Sequence, residues 1–208
     1  MTNEPMWNSY GDWDRIANAA DFDFIKQRIT GLRSQTWEPN HVSENFRVSL
    51  SGMVRRLSAT TEKPVSVVDF GAGLGRNAPL LHEFFPRVIA VDIPEMVTKL
   101  AALYEGQITS LYEGVYDDFD EMLAAEQPAA LYDSVVIQHI IQPEYNEKLA
   151  KSVIESSVSL VICLVHKKVR DTLLFYSKLL DAGWRCTYQE VDSISFEGKA
   201  HILRIFVR

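Results

Sequence analysis

The residues best placed to do chemistry lie in one short stretch. Asp69-Phe70-Gly71-Ala72-Gly73-Leu74-Gly75-Arg76 sets an acid two residues ahead of three alternating glycines. Gly71 and Gly73 allow positive φ and carry no Cβ, so backbone N–H groups there can approach a ligand closely before a helix begins. A dinucleotide fold opens with a similar turn, but its G-x-G-x-x-G spacing counted from Gly71 requires glycine where this chain has Arg76. The anion at Asp69 would repel a pyrophosphate and attract a ligand carrying an ammonium or sulfonium group. A sharp strand-to-helix turn with no ligand is the plainer alternative. Further polar candidates follow: Asp92, then Tyr116 with Asp117, then Gln138 with His139, and finally His166.

These residues need a frame that brings them to one edge. Val65, Val67 and Val68 are β-branched and the run ahead of Asp69 is apolar on both faces, which predicts a strand buried on two sides in a parallel sheet. Residues 77–85 read as the following helix, with Pro79 in its first turn, and residues 87–92 as a second buried strand ending in Asp92. Asp92 lies 23 residues after Asp69; in a βαβ unit an acid at that strand end reaches ribose hydroxyls, and a helix-capping acid is the alternative that Pro94 and Glu95 also allow. Helix 96–104, strand 107–112 and a turn over residues 113–118 come next. Helix 119–127 is stopped by Pro128, and a fourth strand spans residues 132–140. Helix 143–155, strand 159–166 and helix 170–182, closed by Gly183, complete the alternation. Strands 184–191 and 201–207 have no helix between them and so pair antiparallel.

Asp-x-Gly-x-Gly-x-Gly at a strand end resembles motif I of the class I S-adenosylmethionine-dependent methyltransferases, and five βα repeats followed by a terminal hairpin resemble their architecture. The resemblance covers residues 63–208. It implies an α/β fold, a doubly wound seven-stranded sheet that is mostly parallel with an antiparallel last strand, and S-adenosylmethionine as cofactor. By the same resemblance Gly71, Ala72 and Gly73 lie along the methionine part, Asp69 orders its ammonium directly or through water, and Arg76 pairs its carboxylate. Asp92 takes the ribose, with Ile93 beside it. Tyr116 and Asp117 stand at the turn that holds the adenine edge, and Gln138 at the exit of the fourth strand. A sulfonium methyl is already activated, so the protein need only supply in-line proximity and exclude water.

Residues 1–60 are expected to form an N-terminal helical arm or lid, with the α/β core over residues 61–208. Phe22, Ile25, Ile29 and Leu32 make one apolar stripe; Val42, Phe46, Leu50, Met53, Val54 and Leu57 make another, with Ser43 as a cap. The arm is locally basic: Lys26, Arg28, Arg33, Arg47, Arg55 and Arg56 face only Glu38 and Glu44 over that span. A solvated face and an anionic partner are both compatible with that excess. Trp7, Tyr10, Trp13 and Trp37 either staple the arm to the core or roof a substrate cleft.

At 208 residues and 47% apolar composition the chain can bury one good core. A formal charge of −7 argues against non-specific binding to nucleic acid or to an anionic membrane. No apolar run is long enough to span a bilayer and residues 1–8 lack a basic-then-apolar signal pattern, so a cytoplasmic protein is expected. Cys163 and Cys186 sit in apolar runs and should be buried free thiols, and no histidine or cysteine spacing suggests a metal.

The exit Gln138-His139-Ile140-Ile141-Gln142-Pro143 lacks the Asn/Asp/Ser-Pro-Pro-aromatic sequence of amino-group methyltransferases acting on adenine or glutamine. No Pro-Cys dipeptide is present for a covalent cytosine mechanism, and the exit carries no acid of the kind that holds magnesium in catechol-type enzymes. Metal-independent transfer to an O, N or C nucleophile of a small molecule or peptide is the expectation. His139 and His166 are the candidate general bases, since a histidine near its ordinary pKa can take a proton at neutral pH. A non-catalytic cofactor-binding scaffold remains the main alternative, and an NAD(P)-binding oxidoreductase a weaker one.

Overall fold

The structure, a computed structural model, describes residues 43–73, 75, 77–92, 94, 97, 98, 101, 111–133, 143–166, 172–196 and 199–208. Helix α1 (Glu44–Thr60) begins at Ser43, whose hydroxyl accepts the Phe46 N–H at 3.1 Å. Strand β1 (Ser66–Phe70) is buried at every position, as its two-sided apolar run requires. Helix α2 (Ala78–Leu81) carries Pro79 in its first turn and is shorter than residues 77–85: beyond Leu81 the chain continues as turns, with the Phe84 and Phe85 N–H groups both donating to the Leu81 carbonyl. Strand β2 (Arg87–Val91), strand β3 (Gly114–Tyr116) and helix α3 (Phe119–Glu126) follow. Asp118 caps α3 by accepting the Glu121 N–H, and Gln127 ends it in the left-handed region at φ 48°, just before Pro128. Strand β4 (Ala130–Asp133), helix α4 (Pro143–Glu155), strand β5 (Leu160–His166), helix α5 (Thr172–Asp181), strand β6 (Arg185–Phe196) and strand β7 (Lys199–Val207) complete the order.

The seven strands lie in the order β3-β2-β1-β4-β5-β7-β6. β1 pairs in parallel with β2 and β4, β2 with β3, and β4 with β5; β7 runs antiparallel to both β5 and β6. Strand order therefore reverses between β1 and β4, and the carboxyl ends of β1 and β2 open beside that point.

Alternation along β1 divides the core. Val67 faces a cluster with Phe46, Leu50 and Val54 of α1 and Leu80 and Leu81 of α2. Val68 and Phe70 face the opposite cluster, with Met122 of α3, Leu149 and Val153 of α4, and Phe175 and Leu179 of α5. Helix α1, which the sequence placed with the arm, thus packs its apolar stripe directly on the sheet.

Two expectations are corrected. The strand that pairs with β2 is Gly114–Tyr116, and of the expected strand 107–112 the described residues 111 and 112 are not strand, Tyr112 dropping into the core at 1% exposure; residues 107–110 lie outside the described residues. Glycine suits position 114, where an added Cβ would meet Tyr116 Cε2 at 2.9 Å and Glu126 Oε1 at 3.2 Å. Cys186 is exposed and not buried, because β6 is the outer strand of the sheet and is irregular between Cys186 and Tyr188; Cys163, in interior β5, is buried as expected.

Candidate functional site

The turn after β1 has the backbone that its glycines imply, with φ of 76° at Gly71, 55° at Gly73 and 77° at Gly75. At Gly73 a Cβ would find no atom closer than 3.9 Å, so conformation and not crowding demands the glycine. The turn is tied to the end of β2. Gly71 and Ala72 donate to the Val91 carbonyl at 2.8 and 3.3 Å, Gly75 donates to the Ala72 carbonyl at 2.9 Å, and the Gly73 N–H reaches Asp92 Oδ2 at 2.6 Å.

Beside the turn a cleft opens between the carboxyl ends of β1 and β2, the start of α3 and the side of α4. Phe70 and Val91 stand at the strand ends, Phe119 meets Phe70 edge-on at 5.1 Å, and Leu149 closes the helix side. The polar lining is acidic: Asp92, Asp117, Asp118 and Asp120. Asp118 is engaged in capping α3. Asp120 accepts from Ser152 at 2.7 Å and pairs with Lys148 at 3.1 Å, and the Ser152 bond, followed by Lys148, holds its carboxyl below the usual range. Asp117 is exposed and makes no hydrogen bond or ion pair among the described residues. A pyrophosphate in such a cleft would face three or four carboxylates against one lysine, whereas an uncharged nucleoside with a cationic tail suits it.

Asp69 lies apart from this wall. It alternates with Val67 onto the α1 and α2 side and is fully buried, where Asn77 Nδ2 donates to Oδ1 at 3.0 Å and the Tyr112 hydroxyl donates to Oδ2 at 2.8 Å. Asn77 occupies the cap position of α2 but turns its side chain to Asp69 instead of capping. Burial pushes the Asp69 carboxyl up to about 7, against the downward pull of the Asn77 and Tyr112 bonds, and the charge of Asp92 adds to the rise.

The structure thus brings Gly71, Ala72, Gly73, Asp92 and Asp117 together at one strand edge, with Asp69 beneath them. Tyr116 ends β3, but its hydroxyl donates to Glu126 Oε1 at 2.6 Å, toward the far end of α3. His166 closes β5 opposite His201, two strands from β1. Arg76, Ile93, Gln138, His139, Trp7, Tyr10, Trp13 and Trp37 lie outside the described residues. Sequence reasoning missed Tyr112 and Asn77 as partners of Asp69, and Phe119, Asp118, Asp120, Lys148 and Ser152 around the cleft. Only Asn77 carried a signal, as a polar residue directly after the glycine turn.

The fold and cleft define a class: an α/β sheet in the 3-2-1-4-5-7-6 order with an antiparallel seventh strand and a glycine turn tied to the acid that follows β2. Residues 43–143 match the family model described as "Methyltransferase domain". The chain carries a class I S-adenosylmethionine-dependent methyltransferase domain, with S-adenosylmethionine as its cofactor. Among solved structures, it is similar in fold to magnesium protoporphyrin IX methyltransferase of Synechocystis PCC 6803 with bound cofactor, at 17% identity and a TM-score of 0.55, covering 100% of both chains. A candidate RNA methyltransferase of Pyrococcus horikoshii gives 16% identity and a TM-score of 0.54, over 79% of this chain and 84% of that one. TrmK of M. capricolum in complex with S-adenosylhomocysteine gives 10% and 0.50, over 74% and 67%. No curated protein sequence matches the chain. Among the described residues no helix is long and apolar enough to cross a membrane.

The residues present fit the cofactor. Asp92, half-buried at the end of β2, offers carboxylate oxygens of the kind that accept from ribose hydroxyls, Asp117 adds an exposed carboxylate at the rim, and Phe70 and Phe119 supply an apolar surface of the kind an adenine base needs.

Proposed function

We propose that the methyl group goes to a small-molecule acceptor and that residues ahead of Ser43 choose it. The observation that carries this reading is the acidic rim formed by Asp92, Asp117, Asp118 and Asp120 in a chain of net charge −7, which disfavours a phosphate backbone at the cleft mouth. An RNA acceptor, suggested by the name of the Pyrococcus horikoshii neighbour, would have to approach that rim against its charge.

When bound, S-adenosylmethionine would supply an electrophilic methyl group for the acceptor's lone pair, with the electron pair of the carbon–sulfur bond leaving to sulfur. The chain's part is to hold the two reactants in line, exclude water and take the acceptor's proton. His139 is the favoured base, because β4 adjoins β1 in the sheet while β5, which ends in His166, lies one strand farther out. Transfer without a metal is proposed from the sequence of the Gln138 to Pro143 exit, which offers no acid.

The arm joins the fold at a defined knot. Ser43 Oγ donates to Glu190 Oε2 at 2.5 Å and lies 3.2 Å from the Tyr188 hydroxyl, which itself bonds Glu190. The arm's aromatics Trp7, Tyr10, Trp13 and Trp37 are the candidates for an acceptor wall. Replacing Trp7, Tyr10 and Trp13 by Ala should abolish transfer from labelled cofactor to a small-molecule extract while cofactor affinity stays within a few fold. Full transfer by that variant would overturn the role of the arm. Label recovered in RNA and not in the low-mass fraction would overturn the choice of acceptor.

A further inference from the structure

Asp69, Asn77 and Tyr112 form a buried polar group directly under the glycine turn, and the cofactor contacts named above use neither Asn77 nor Tyr112. Tyr112 is separated from Asp69 by 43 positions in sequence and reaches it from the lead-in to β3, so the bond joins the end of β1 to the segment beyond β2. Both donors are neutral, and both Asp69 oxygens receive one of them. A carboxylate with no exposed surface does not ionise readily unless donors or a cation stabilise it.

Resting on the methyltransferase reading, we propose that Tyr112 is a positioning residue for cofactor binding, whose hydroxyl bond favours the anionic form of Asp69 at the foot of the turn, so that the cofactor's cationic groups meet a negative charge there. Asp69 then acts through space from under Gly71 and Gly73 with its oxygens held by Tyr112 and Asn77. The position of the carboxyl near 7 supports this: at neutral pH the group is poised between its two forms, and a neighbouring cation tips it toward the charged one. The ionisable groups acting on it from the packed elements are Asp92 at the end of β2, which opposes ionisation, and Tyr112, which favours it. Tyr132 stands beside it in β4 with its phenol held neutral, chiefly by burial and further by the Asp69 charge.

The sign follows. A cation binds the ionised form better, so cofactor affinity should rise with pH through the titration of Asp69, and binding on the acid side should release a proton. Removing the Tyr112 donor moves that rise to higher pH. Calorimetry on the full chain tests it with S-adenosylmethionine and with 5′-methylthioadenosine, which lacks both the ammonium and the sulfonium. In Tyr112→Phe, S-adenosylmethionine affinity should fall roughly threefold to tenfold near pH 6, the net size of an ordinary hydrogen bond, and the deficit should shrink toward alkaline pH. Affinity for 5′-methylthioadenosine should change little at any pH. Asn77→Ala should act in the same direction, and Asp69→Asn should flatten the pH dependence altogether, so the proposal stays testable if one variant folds poorly. A loss equal for both ligands and independent of pH would reduce Tyr112 to packing and overturn the proposal. Failure of the unaltered chain to bind either ligand at any pH would overturn the methyltransferase reading itself.

Discussion

Gly73 gives its backbone N–H to the Asp92 carboxylate at 2.6 Å, so the turn after β1 and the end of β2 form one unit. The same carboxylate lines the cleft, and if it takes the ribose hydroxyls, as the resemblance implies, the shape of the cradle and the grip on the nucleoside depend on one side chain. A hydrogen bond to a charged group contributes more than a neutral one, and losing it at a desolvated site leaves the donor unpaired.

Asp92→Ala should therefore weaken S-adenosylmethionine binding by about 1.5–3 kcal/mol. Asp92→Asn keeps an acceptor for the Gly73 N–H but gives up the charge, and should fall between the two. Calorimetry on the three proteins checks the order. Unchanged affinity in the Ala variant would leave Asp92 with a purely structural role in the turn.

Asp69 makes stability depend on pH. Its carboxyl is raised by burial from 3.8 to about 7, so between those values the folded chain holds a proton that the unfolded chain has released. Its stabilisation is complete below the unfolded value and is lost as pH rises through the folded one. The denaturant midpoint should be higher at about pH 5 than at about pH 8, and Asp69→Asn should reduce the difference. The same difference in both proteins would assign the dependence to other groups.

The sequence carried the parts of this fold that local rules govern. Val67 and Val68 flanked by turn glycines fixed β1, Pro143 and the apolar period gave α4 its observed limits, and the missing helix after residue 191 foretold the antiparallel hairpin. The third strand was misplaced because Tyr112 reads locally as a strand residue, while its burial against Asp69 depends on a partner 43 positions away. Asp69 could have been read more closely: its alternation with Phe70 puts the two on opposite faces, and Phe70 is the one in the cleft. The contribution of Lys148 and Ser152 to the cleft had no signal, since only the packing of α4 against α3 brings them to Asp120.

The central claim is that the cleft beside the glycine turn receives an adenosyl cation and not a dinucleotide. Calorimetry of the full chain against S-adenosylmethionine, S-adenosylhomocysteine and NADH tests this most directly. The acidic lining of Asp92, Asp117, Asp118 and Asp120 predicts that both adenosyl ligands bind, that NADH does not, and that Asp92→Ala weakens both. Saturable binding of NADH, with neither adenosyl ligand binding, would contradict the account.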